Sequence, residues 1–357
     1  MTIVSHITDI NRSQWSTLAK ESPTGSWFQS PEAFDFFVSQ PDLFRPFVVC
    51  IPKRAVCVGY LTVEKSRLKQ LATARAIIIG GPALADGCTD EEVVALMNEV
   101  RSTCKAMGTI YIETRNFNDY SPWRQGFEKA GFRYEEHCNF HIATEAFAIA
   151  NQNERAERYE NQNENENREI AYEKVVNGLM GKNRVRDIKT SFRDGATVID
   201  HPTIEQVREY YQTLQHLYTT KVKTPLFPLS FFEQLYKHKD GRFILVEYQG
   251  QIVGGTVCVA QEGRCLYEWF VAGRDGEWKT IFPSSVATYA GIRYAAEHDM
   301  PRFDMMGAGT PNEAYGVRDF KARFGGELVE HGRYKMICKP LLYQCGVLGV
   351  KLLKVLK

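Results

Sequence analysis

The spacing of apolar residues along this chain of 357 residues switches repeatedly between two periods. Segments with apolar residues three and four apart alternate with short runs in which every second residue is apolar, the pattern of mixed helix and strand. Capping chemistry marks where helices begin. Ser30-Pro31 sets an N-cap serine ahead of a proline at the first helical position, opening an aromatic helix through Phe34, Phe36 and Phe37. Thr89 and Glu92 have capping-box spacing ahead of VVALMNEVRSTCKAM, which Gly108 closes. Ser121-Pro122 opens the short helix WRQGFEKA, and Thr203 caps IEQVREYYQTLQHLY. Ser230 with Glu233 makes another capping box, and Pro283-Ser284 precedes SVATYAGIRYAAEHD. FVVCIPKRAVCVGYLTVE and FILVEYQGQIVGGTVCVAQ each read as a hairpin, the second turning at Gln249-Gly250, where glycine permits positive φ.

The elements then recur in the same order. A capped helix, strand TIYIETRN, helix FEKAGF and strand RYEEHCNFHIA in the first half answer SVATYAGIRYAAEHD, PRFDMMGAG, FKARFGG and ELVEHGRYKMIC in the second. In this alignment Glu128 stands where the second half has Lys321, and His137 answers His331. A duplicated α/β (α+β) domain is expected. Between the halves, residues 151–168 are almost wholly Asn, Gln, Glu and Arg and cannot bury enough surface to offset their ordering entropy. They read as a solvated helix extension or a disordered insertion. The expected organisation is a first domain over 1–150, this polar join over 151–168, and a second domain over 169–357.

Length supports that division, because 357 residues exceed one ordinary core. Charge adds a restriction: 44 Lys and Arg against 43 Asp and Glu leave no global basic field, so an acidic partner must meet a local patch. No long apolar run suits a spanning helix and the start of the chain lacks a signal-peptide core, so a cytoplasmic protein is expected. Nine cysteines without a C-x-x-C pair read as reduced thiols. His137-Cys138-x-x-His141 is the nearest approach to a metal cluster. It reads instead as a strand with Cys138, Phe140 and Ile142 on one face, and no metal is expected.

The densest chemical candidate is the run from Tyr315 through Arg318, Phe320, Lys321 and Arg323 to Gly326. Asp304 and the flexible Gly307-Ala308-Gly309 precede it at a strand end, where α/β proteins place ligands. Helical spacing would turn Val317, Phe320 and Phe324 inward and leave Lys321 able to point its charge into a cleft. The other reading is a solvated basic face, although Glu128 in the corresponding helix shows that symmetric packing does not require the lysine. A second candidate is the stripe Lys182, Arg186, Lys189 and Arg193, with Arg184 close by and Lys223 as a further contact. It could hold a phosphate-rich ligand or form an exposed helix face. A third is the basic apolar stretch from Pro340 to Lys357, which could rest on an anionic membrane surface or dock on its own domain; docking is the expectation. A Q/R-x-x-G-x-G/A turn that would grip a coenzyme A pyrophosphate at a helix start is missing. Its nearest spacing, at Asp304 to Gly309, begins with a carboxylate. There is no Walker loop, GxSxG or HExxH.

At three places the chain resembles the FemABX family, peptidyltransferases built from two GNAT-like domains. WFQSPEAFDFF, from Trp27 to Phe37, is similar to that family's opening Q-S-x-x-W/F segment. KNRVRDIKTSFRDGATV, from Lys182, resembles its basic helix, and DMMGAG followed by YGVRDFKARFGG resembles its D-x-x-G … F-K-x-x-F-G signature. The resemblance implies two tandem GNAT-like acyltransferase domains, each a mixed central sheet flanked by helices. It also implies transfer of an amino acid from aminoacyl-tRNA to an amine of a lipid-linked or UDP-linked peptidoglycan precursor, with no cofactor, at the inner face of the cell membrane. By the same resemblance Lys321 stabilises the transition state and Arg186 and Lys189 belong to the basic helix. Phe34 replaces a frequent tryptophan, no lysine follows it, and the long coiled-coil arm of some members is missing. An aminoacyl ester is already activated, so the chemistry asks chiefly for alignment and a cation near the developing oxyanion. Glu113 or Asp304 could accept the amine proton. Lys321→Met is then expected to abolish transfer and leave the fold intact. The alternatives are an acyl-CoA-dependent N-acyltransferase acting on a sugar or lipid-linked amine, and a non-catalytic binding module.

Overall fold

The computed structural model describes residues 2–64, 66–144 and 179–355, so the polar join at 151–168 lies outside the described residues. The chain forms two units, one of Met1–His137 with Glu330–Lys357 and one of Cys138–Val329.

In the first unit the expected caps form. Ser30 accepts the Ala33 amide ahead of Pro31–Val38, and Thr89 with Glu92 closes a reciprocal capping box on Asp90–Ala106. β1 (Phe44–Ile51) and β2 (Ala55–Thr62) make the first hairpin. β3 (Arg75–Gly80) pairs parallel with β5 (Tyr111–Asn116), while the short β4 (Ala83–Leu84) pairs with β2. Gln29, from the Gln29-Ser30-Pro31 segment, is fully buried and bridges the adjacent strands β2 and β3. Its amide donates to the carbonyls of Val58 and Ile79, at 3.0 and 2.8 Å, and its Oε1 accepts the Val58 amide at 2.8 Å.

The second unit repeats this plan. Thr203 with Gln206 caps Ile204–Leu217. Ser230 does not cap: the cap position falls two residues earlier, at Pro228, ahead of Leu229–Lys237, and Glu233 pairs with Arg208 at 2.7 Å. β9 (Gly241–Tyr248) and β10 (Gln251–Gln261) turn at Gln249-Gly250, both at positive φ, as the hairpin expectation required. β11 (Cys265–Gly273) follows, then the helix Pro283–Glu297, which is buried nearly all round, and β12 (Arg302–Gly307).

The domain boundary differs from the one expected at 150 and 169. RYEEHCNFHIA is not one strand; it breaks into β6 (Arg133–Glu135) and β7 (Cys138–Ala143), and β7 pairs with β12 in the second unit's sheet. ELVEHGRYKMIC likewise breaks into β13 (Glu327–Glu330) and β14 (Arg333–Ile337), and β14 inserts between β5 and β6 in the first unit. The two sheets therefore run β1-β2-β3-β5-β14-β6, with β4 beside β2, and β13-β7-β12-β11-β10-β9-β8, where β8 is Thr197–Ile199. Each half of the sequence gives its last strand to the other sheet, and the aligned His137 and His331 mark the two crossings. Burial explains the exchange. Cys138, Phe140 and Ile142 alternate into the second unit's core, while Tyr334 of β14 is fully buried in the first unit and stacks on Phe127 with centroids 4.0 Å apart.

Candidate active site in the second unit

The two units differ where their parallel strands meet. β3 and β5 stay paired over six residues, from Arg75↔Tyr111 to Gly80↔Asn116. β11 and β12 pair only at Cys265↔Arg302, Leu266↔Phe303 and Tyr267↔Asp304, after which they part. Just beyond that point β11 carries a bulge: Val257 faces Phe270 and Cys258 faces Glu268, so Trp269 is the extra residue. A bulge bends its strand and re-aims the neighbouring side chains.

Glu268 is the side chain at this fork. It is 4% exposed, and its Oε1 accepts from Thr288 at 2.9 Å and Thr256 at 3.2 Å. Its Oε2 has no hydrogen-bond partner among the described residues. Burial pushes its pKa up to about 7, against the opposing pull of the Lys321 charge. Lys321, on the helix Gly316–Ala322, is 6% exposed. Its ammonium donates to the carbonyls of Met305, Gly307 (2.8 Å) and Met306 (3.4 Å), the residues that end β12. Burial lowers its pKa to about 8, with Glu268 and Asp304 pulling it back up. The strand fork thus encloses a buried carboxylate and a buried ammonium that both titrate close to neutrality, the range in which proton transfer serves catalysis.

The other sequence candidates fall into distinct places. Asp304 is fully buried, 3.1 Å from His141 Nε2, and accepts the Met306 amide at 2.7 Å. Burial raises its pKa, but His141 and Arg302 outweigh that and hold it below the ordinary carboxylate value. Glu113 lies in the first unit with Arg115 at 3.0 Å, Arg333 at 3.2 Å and Lys335 at 4.0 Å. There too burial is outweighed, by Arg333 and Arg115, and the pKa is lowered. Neither carboxylate is a good proton acceptor, and Glu268 is the better one.

Arg184 is not free to grip a ligand either. Its guanidinium is buried between the rings of Phe320 and Phe324, with centroids at 4.6 and 4.4 Å, and donates to Ser285 Oγ. Arg318 donates to the carbonyls of Ala308 and Pro311, both at 2.9 Å, and of Thr310 and Glu313, which fixes the loop after β12. The ring of Tyr315 covers Gly309, whose φ of +76° suits glycine. Val317 is 41% exposed and does not pack inward as expected, because the helix turns Phe324, Lys321 and part of Phe320 toward the core instead. Glu128 is exposed whereas Lys321 is buried, so the two do not share an environment. The stripe Lys182, Arg186, Lys189 and Arg193 is exposed along one face of Lys182–Arg193, and Arg323 and Lys223 are also exposed, the latter at positive φ after the π-turn Tyr218–Val222.

The helix start after β11 bears on the donor. Pro283 lacks an amide hydrogen, the Ser284 amide is 3.2 Å from the Asp275 carboxylate, and the Ser285 and Val286 amides donate to the Phe282 carbonyl. A carboxylate and the chain's own carbonyl occupy the position where a pyrophosphate would need bare amides.

Residues 182–322 match the family model described as an acetyltransferase (GNAT) domain. The solved structure of FemX is similar over 97% of this chain and 99% of its own, with a TM-score of 0.68 and 14% identity. The architecture is the tandem GNAT fold. A tandem GNAT protein from the clavulanic acid biosynthesis pathway has a TM-score of 0.53 over 94% of this chain and 98% of its own, at 9% identity. The structure of L-PGS from Bacillus licheniformis has a TM-score of 0.53 over 96% of both chains, at 12% identity. No curated protein matched the sequence. β12 and β11, joined through the helix Pro283–Glu297, are the third and fourth of the seven strands of the second unit's sheet. Glu268 escaped the reading of the sequence although one signal was present: it is the only charged residue in the strand CLYEWFVAG.

Proposed function

We propose that the protein is an acyltransferase whose second unit transfers an aminoacyl group from aminoacyl-tRNA to an amine of a peptidoglycan precursor. The observation that carries the reading is the buried Glu268 carboxyl within electrostatic reach of the buried Lys321 ammonium at the fork of β11 and β12. In this reading the acceptor amine attacks the ester carbonyl and the new C–N bond forms. The attacking nitrogen gives its proton to Glu268, and the Lys321 charge favours the oxyanion. Collapse breaks the ester C–O bond, and the proton passes from Glu268 to the departing ribose oxygen. A carboxyl group with a pKa of about 7 can accept and return that proton near neutrality. The Lys321 bond to Met306 O, at 3.4 Å the longest of its three, is the one an oxyanion would replace.

The occupied helix start at Pro283 supports a donor without a coenzyme A pyrophosphate. The exposed stripe of Lys182, Arg186, Lys189 and Arg193 offers a phosphate-rich substrate a local basic surface despite the near-neutral chain. The test is to incubate the pure protein with nucleotide-linked or lipid-linked muropeptide and either mixed charged tRNA or acyl-CoA, and to weigh the acceptor. An aminoacyl mass increase with charged tRNA alone is expected. An acyl increase with acyl-CoA alone would assign the other donor, and no product with either would reject the transferase reading.

A further inference from the structure

The helix Pro340–Val355 carries an apolar face that its own unit leaves bare. Tyr343 anchors it, with its ring edge-on to Tyr111 at 5.4 Å, but Leu341 and Leu348 are 80% and 59% exposed and Cys345 is exposed as well. Docking along the unit, as the sequence suggested, does not occur over these residues. Leu341, Cys345 and Leu348 are spaced by four and three, so they share one helix face, and the sequence repeats the spacing at Leu352 and Val355. From Pro340 to Lys357 the sequence contains three lysines and no carboxylate. Among the described residues no helix is long and apolar enough to cross a membrane.

We propose that this helix lies in the plane of an anionic membrane surface, with the Leu341–Leu348 face in the headgroup boundary and the lysines among lipid phosphates. Charge selects this occupant over a second copy of the chain. Each copy of this stretch carries only positive side-chain charge, so pairing two copies would bring like charges together, whereas anionic lipid complements them. A paired coiled coil also needs three to four heptads of such spacing, and this stripe spans about two. The proposal stands independently of the acyl-transfer reading, since it concerns binding in the absence of any substrate.

The experiment is sedimentation of the full chain with vesicles of phosphatidylcholine alone or mixed with phosphatidylglycerol, at low and high salt. Sedimentation velocity without lipid runs in parallel. Binding to the phosphatidylglycerol vesicles, lost at high salt, is expected. Leu341→Glu with Leu348→Glu should weaken it by roughly tenfold or more, and Lys351→Glu with Lys354→Glu should do the same without touching the apolar residues. Circular dichroism checks that both variants keep their fold. Equal binding to phosphatidylcholine alone, no binding to either vesicle, or unchanged binding in both variants would overturn the proposal. So would self-association that the leucine substitutions abolish, which would assign the face to a second copy.

Discussion

Replacing Glu268 with glutamine should remove a specific pH dependence from the stability of the second unit. The folded carboxyl has a pKa of about 7 against an ordinary value of 4.5. Between those values the folded state holds a proton that the unfolded chain has released. A raised carboxyl pKa therefore leaves stability intact below 4.5 and erodes it as the pH rises through 7, by about 3 kcal/mol in all. Lys321 acts in the opposite direction and higher up. Its pKa of about 8, against an ordinary 10.5, penalises the charged form when folded, and that penalty is relieved as the pH rises between the two values. The wild-type second unit should be least stable between these two ranges, near neutrality. Urea titration at about pH 5 and about pH 7.5, with hydrogen exchange read on peptides covering β10 and β11, measures the first limb. Glu268→Gln should lose the decline between the two pH values while keeping the bonds from Thr256 and Thr288. An equal decline in wild type and Glu268→Gln would refute the reasoning.

Further outcomes follow from the same geometry. Lys321→Met was expected from sequence to spare the fold, but it strips three carbonyls of their donor and leaves Glu268 without its cation. It should cost on the order of 3–5 kcal/mol by chemical denaturation, part of which Glu268→Gln in the same chain restores. Arg184→Ala should destabilise the second unit by about 2–3 kcal/mol in a thermal melt, by emptying the site between Phe320 and Phe324 and orphaning Ser285. Glu113→Gln should leave acyl transfer within a fewfold of wild type. It should also remove a stabilising carboxylate whose contribution is present above the ordinary carboxyl pKa and is lost as the pH falls through its lowered value, a difference visible in melts at acid and neutral pH. Gln29→Leu should cost the first unit roughly 2–4 kcal/mol in urea titration, because the Val58 amide and carbonyl and the Ile79 carbonyl all lose a buried partner.

Local chemistry was readable in the sequence, and long-range pairing was not. The caps at Ser30, Thr89 and Thr203 and the Gln249-Gly250 turn are decided within a few residues, and each formed as read. The repeated order of elements announced two similar sheets. Spacing could not reveal that β7 and β14 change places, because an alternating strand shows which face is apolar and not which sheet will bury it. The site was legible in part. Lys321 was singled out, but its carbonyl partners come from β12 and could not be inferred from its own helix. Asp304 and Glu113 looked like proton acceptors because they are carboxylates at strand ends; His141 beside one and Arg115, Arg333 and Lys335 beside the other make them poor bases. Glu268 depends on the Trp269 bulge and on Thr288 from another element, which are tertiary facts. The QSP segment was read through a family resemblance, whereas its glutamine holds the first unit's sheet together.

The dependence of the transfer rate on pH, compared between wild type and Glu268→Gln under single-turnover conditions, tests the central claim most directly. Wild type should show a rate that rises with pH through about 7 as Glu268 ionises, and Glu268→Gln should be slower by roughly 10²–10⁴-fold with that limb gone. An unchanged rate and an unchanged pH limb in Glu268→Gln would contradict the placing of catalysis at the fork of β11 and β12.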